Sequence, residues 1–79
     1  MASTLDLVSF NVPGMTQDSD RSAVYSSLDG VPGIEEVVIN LPARLVQVKY
    51  DPEEVSPEEI KALIESTGLM VQRYSNGYR

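Results

Sequence analysis

The strongest constraint on this chain is the order in which two hydrophobic periods alternate along it. Val8, Phe10 and Val12 recur at every second position, with Ser9 and Asn11 between them, as in a strand that buries one face. Val24 and Leu28 lie four apart with Ala23 beside them, so residues 17–29 predict a helix with one apolar stripe. Two further alternating runs follow: Ile34, Val37, Ile39 and Leu41, then Val46, Val48 and Tyr50. A short turn at Pro42-Ala43 joins them as a hairpin. Ser56 then precedes Pro57, Glu59 stands three residues on, and Val55 is placed to staple onto Ile60. These are an N-cap, a first-position proline and a capping box, at the start of a helix that turns Ile60, Leu63 and Ile64 inward. Gly68 supplies the left-handed residue past its end. A last strand is predicted over 69–74, and the polar tail 75–79 is expected to fray. The order β-α-β-β-α-β specifies an α+β fold of the split βαβ kind, with four antiparallel strands and both helices on one face.

Seventy-nine residues support a single core, so 1–79 is read as one domain with its body at about 4–74. That core is expected to draw on Val8, Phe10 and Val12, Val24 and Leu28, Val31, Val37 and Ile39, Val46 and Val48, Ile60, Leu63 and Ile64, and Val71. Twelve acidic against six basic residues leave a net charge of −6, a field that repels phosphate backbones and anionic lipid and favours basic partners or cations. Nucleic acid is therefore not an expected ligand. No apolar run approaches the ~18 residues of a membrane span, so no membrane insertion is expected. MASTLDLVSF has neither a basic nor an apolar signal region, which predicts a cytoplasmic location. The chain has no cysteine and no histidine. Thiolate nucleophiles, imidazole bases and the softest metal ligands are excluded, and with no other nucleophile or base to nominate the chain is not expected to be an enzyme.

Several dispersed stretches resemble one family. They are Pro13-Gly14-Met15-Thr16, Val31-Pro32-Gly33-Ile34, Val37-x-Ile39-Asn40-Leu41, Val46-x-Val48-x-Tyr50-Asp51-Pro52 and Ser56-Pro57-Glu58-Glu59-Ile60. Together, over roughly 4–72, they resemble the heavy-metal-associated domain, the ferredoxin-like βαββαβ module of bacterial copper chaperones and of the amino-terminal repeats of heavy-metal P-type ATPases. In that family the loop reads Gly-Met-Thr-Cys-x-x-Cys, and its two thiolates hold a soft cation such as Cu(I) and pass it to a docked partner. Gly14, Met15 and Thr16 match, whereas Gln17 and Asp20 stand at the two cysteine positions. The resemblance thus implies a metallochaperone-like module without its thiolate site, for which neither Cu(I) nor Zn²⁺ is expected. In the family Met15 points into the core, and docking uses the first loop, the first helix and the loop around Thr67-Gly68-Leu69. The implied partner-binding set is Met15, Thr16, Gln17, Asp18, Asp20 and Leu69, and the acidity of this end implies a protein partner with a basic surface.

The residues of the loop admit two other readings. Thr16 or Asp18 can cap the first helix while Asp20 adds charge to its first turn, each effect worth about 0.3–1 kcal/mol. Alternatively, Gln17, Asp18 and Asp20 offer oxygen ligands to a hard divalent cation, held weakly because so few side chains leave much of the shell to water. Glu58 and Glu59 are explained by the start of the second helix, Glu53-Glu54 by the preceding loop, and Tyr25 by partial burial beside the apolar stripe. Strand geometry sends Leu5, Leu7, Val38, Leu45 and Met70 to the sheet face away from the helices. If they cluster, that face becomes a surface for a partner or for self-association.

Overall fold

The computed structural model describes residues 4–76, and of residues 73–76 the backbone alone. Its elements are β1 (Asp6–Asn11), α1 (Asp18–Leu28), β2 (Ile34–Asn40), β3 (Leu45–Tyr50), α2 (Pro57–Glu65) and β4 (Arg73–Asn76). β3 pairs antiparallel with both β1 and β2, forming the three-stranded centre of the sheet. The short β4 lies antiparallel along the other side of β1, giving the order β2-β3-β1-β4.

Register explains the core. Val8 faces Val48 and Phe10 faces Val46, so the even positions of β1 and β3 share one face of the sheet. Against it pack Val24 and Leu28 of α1 with Ile60 and Ile64 of α2, all completely buried, and Met15, Tyr50, Val55 and Val71 join the same cluster. Both helices therefore cover one face. Burial of each large apolar side chain contributes about 1.5–3 kcal/mol, and no buried side-chain polar atom among the described residues lacks a hydrogen-bond partner.

β2 resolves an irregularity in its own pattern, since Ile34 is even and Val37 and Ile39 are odd. The pairing with β3 shifts between Ile34 and Glu36, which inserts one residue and restores the apolar positions to the covered side. Gly33 is required where β2 begins. Its φ is +93°, and a Cβ there would stand 2.7 Å from Cβ of Glu54, so the α1–β2 turn closes against the loop before α2 only without a side chain.

Three expectations change. The last strand was expected over 69–74, yet residues 69–72 are irregular and pairing begins at Arg73. Leu69 and Val71 look strand-like because both pack on the core, Leu69 in part and Val71 almost wholly. Ser75 and Asn76, expected in a frayed tail, continue β4; residues 77–79 lie outside the described residues. Val31 is half-buried and Ala23 exposed, so α1 presents a narrower apolar stripe than its spacing predicts.

Candidate functional site

The loop between β1 and α1 is held from below by Met15. The Met15 N–H donates to the Val12 carbonyl at 3.0 Å, and the thioether side chain is completely buried in the core. Met15 is thus removed from the expected docking surface: it braces the loop and presents nothing to a partner. Leu69 closes the loop from the side. A Cβ on Gly14 would meet its Cδ2 at 3.4 Å, so the segment after α2 and the first loop form one surface. The Thr67 hydroxyl, donating to the Ile64 carbonyl at 2.7 Å, and the Val71 N–H, donating to Oε2 of Glu65 at 3.3 Å, tie that segment to α2.

At the mouth of α1, the N-cap is Gln17, in extended backbone with φ −127° and ψ 161°. Its carbonyl accepts from the N–H groups of Asp20 and Arg21 at 3.0 and 3.1 Å, while its side chain accepts no capping bond. The capping comes from Asp20. One carboxylate oxygen, Oδ2, accepts from the backbone N–H of Thr16 at 3.0 Å and of Gln17 at 3.1 Å. Neither Thr16 nor Asp18 caps the helix, contrary to the sequence expectation. A side chain at the third helical position reaches back to the free donors ahead of the first turn, where the positive end of the helix dipole favours its charge. Asp18 instead turns outward, and its Oδ1 accepts from Nη2 of Arg21 at 3.2 Å.

Gln17, Asp18 and Asp20 are therefore neighbours with three different orientations. Asp20 faces backbone donors, Asp18 faces a guanidinium, and the exposed Gln17 faces solvent. Among the described residues, no group of three or more acidic side chains is arranged to hold a metal ion. Thr16, Gln17 and Asp18 are exposed, with Asp20 and Leu69 half-buried beside them.

The family profile of the heavy-metal-associated domain matches residues 9–69. The chain belongs to the heavy-metal-associated domain family. Among its relatives, the copper chaperone CopZ of Staphylococcus haemolyticus is 39% identical over 62 residues, which cover 78% of this chain and 91% of that protein. The copper-transporting ATPase ccc2 of Schizosaccharomyces pombe is 37% identical over 59 residues, 75% of this chain but only 6% of the ATPase. In structure, the copper binding domain of the P-type ATPase HMA7 superposes with a TM-score of 0.84 at 26% identity, covering 92% of this chain and 99% of that one. A heavy-metal-associated domain with no cysteine has the oxygen donors of Gln17 and Asp20 where the family motif has sulfur. The loop's one sulfur, in Met15, lies in the core.

Two features of the surface escape the sequence pattern. The apolar residues of the open sheet face do not gather: Leu7 lies opposite Lys49, Val38 opposite Gln47, and Leu45 opposite both Asn11 and Asn40. Tyr25, expected beside the apolar stripe, is 49% exposed on α1.

Proposed function

We propose that this heavy-metal-associated domain is a metallochaperone-like docking module that acts through contact with a protein partner and carries no soft cation. The relatives named for copper provide the frame, and their chaperone and transporter roles imply a partner. The observation that carries the reading is the state of Asp20. The side chain at the second thiolate position is committed to two backbone N–H groups of its own loop, so it works as a helix device. Carboxylate and amide oxygens are poor ligands for Cu(I), which selects thiolate and thioether. The contact surface is Thr16, Gln17, Asp18 and Asp20 with Leu69 at its apolar side, and its acidity selects a basic partner. The same reading takes the sheet as the complete four-stranded ferredoxin-like arrangement.

The test is Mn²⁺ titration followed by amide resonances, run beside a pull-down from the source cell. Docking predicts a recovered partner whose association slows as salt rises, and no selective broadening at residues 16–20. Selective broadening there, lost in Asp20→Ala, would install the hard-cation reading in its place.

A further inference from the structure

We propose that the groove between α1 and β2 is a second docking site, which takes an extended basic segment of a protein partner as an added strand on the free edge of β2. The site is separate from the first loop: its acidic end lies where α1 stops, at Asp29, and the loop lies where α1 starts. Among the described residues β2 has β3 on one side and no strand on the other. Its outer edge is thus a row of backbone donors and acceptors of the kind that pairs with a second chain.

Two adjoining hollows, about 200 and 290 Å³, follow this edge and share Tyr25 and Val37. Tyr25 is half-exposed between them, as an aromatic anchor for an incoming side chain. Charge selects the occupant. Asp29, Glu35 and Glu36 line the first hollow, and among the described residues only Glu36 is partly neutralised, by Lys49 at 3.7 Å. Among the described residues the carboxylates of Asp29 and Glu35 have neither an ion pair nor a hydrogen bond. The register shift withdraws Glu35 from pairing with β3. A lysine or arginine entering here meets two free carboxylates and the face of Tyr25. At the far end of the second hollow stands Arg21, already held by Asp18, so the segment's basic residues belong at the Asp29–Glu35 end. A second copy of the chain is the wrong occupant, because it would bring its own Glu35 and Glu36 to the same edge on a body of net charge −6.

The experiment uses the full chain, labelled with ¹⁵N, and a soluble peptide as long as β2 that alternates lysine and valine. The expected result is a set of shifts confined to the amides of 34–40 and Tyr25, weakening as salt rises, with no response to a glutamate–valine counterpart. N-methylation of alternate peptide amides leaves the charge intact and removes half of the strand's donors, and it should weaken binding about tenfold. Asp29→Lys with Glu35→Lys should weaken it by a similar factor, about tenfold, in a chain still folded by circular dichroism. Asp20→Asn, which leaves Asp18's hold on Arg21 in place, should stay within about threefold, since that charge lies at the other end of α1. Absence of binding, equal binding of the N-methylated peptide, shifts mapping to residues 16–20 or to Leu63 on α2, or a concentration-dependent dimer through β2 would each overturn the proposal.

Discussion

The two helices of this domain begin in related ways that serve different ends. At α2 the capping box is complete: Oγ of Ser56 accepts from the Glu59 N–H at 3.2 Å, and Oε1 of Glu59 accepts from the Ser56 N–H at 2.8 Å. Val55 before it and Ile60 within it are both buried, so the cap is fixed to the core. At α1 the same box is looser. Asp20 reaches back to Thr16 and Gln17, while the Gln17 side chain lies toward the Asp20 N–H without completing a full cap bond. This box occupies the two positions that the family motif assigns to thiolates. At the second stands Asp20, whose carboxylate is spent on backbone donors, and at the first stands Gln17, an exposed amide.

The largest effect that can break this comparison is restoration of the pair. Gln17→Cys with Asp20→Cys keeps the matching Gly14-Met15-Thr16 loop and its Met15 brace, and should create Cu(I) binding tighter than about micromolar, on the order of 8 kcal/mol. Competition against a strong chelator measures it, and the unaltered chain should show no stoichiometric complex. If the restored chain also fails to bind, the loop differs from the family's by more than its two ligands. Next in size are the side chains beneath each helix start. Met15→Ala and Ile60→Ala each remove a completely buried side chain, and each should cost about 2–5 kcal/mol in urea unfolding. A much smaller loss at Met15 would mean that the first loop is not braced from the core.

The caps come third. Ser56→Ala and Asp20→Ala should each destabilise by about 0.5–2 kcal/mol, and the two should add, since they cap different helices through separate donors. Millimolar Ca²⁺ or Mg²⁺ should leave the melting temperature of the unaltered chain unchanged. A rise of several degrees that disappears in Asp20→Ala would show an ion using the carboxylate.

The same contrast explains what could be read from the sequence. Everything about α2 was legible because Ser56, Pro57 and Glu59 satisfy backbone donors through neighbours three residues apart, a relation that sequence spacing encodes directly. The order of elements and the inward positions of β1 and β3 were legible for the same reason, since period two is local. At α1 spacing points to the wrong capping residue: Thr16 and Asp18 have the right chemistry for an N-cap, but which acidic side chain turns back depends on the loop path set by Met15. The apolar pattern starts the last strand four residues early, because Leu69 and Val71 are apolar for the sake of packing, with Val71 held by Glu65 of α2. The α1–β2 groove was not legible at all. It arises from a register shift at Glu35 and an exposed Tyr25, which meet only when the sheet is assembled.

The smallest predicted effect concerns Asp18, and it tests the division of labour at α1. Asp18 and Asp20 are both acidic residues in the same first turn, and both meet the positive end of the helix dipole. They differ in what they touch. The Asp18 side chain is 81% exposed and pairs only with Arg21, itself 49% exposed, so solvent screens the attraction and the pair should contribute no more than about 0.5 kcal/mol. Asp18→Ala should therefore cost less than Asp20→Ala in the same unfolding experiment, and the gap should persist at high salt, because the Asp20 bonds to backbone N–H are short-range whereas the Asp18 terms are screened. Its larger consequence should be kinetic. Reversing the charge with Asp18→Lys leaves Asp20's cap in place while opposing a basic partner, so association should slow at low salt and converge with the unaltered chain at high salt. If Asp18→Ala proves the more destabilising change, the cap has been assigned to the wrong aspartate. If charge reversal leaves the association rate untouched, the first loop lies outside the interface and Asp20 is a structural group alone.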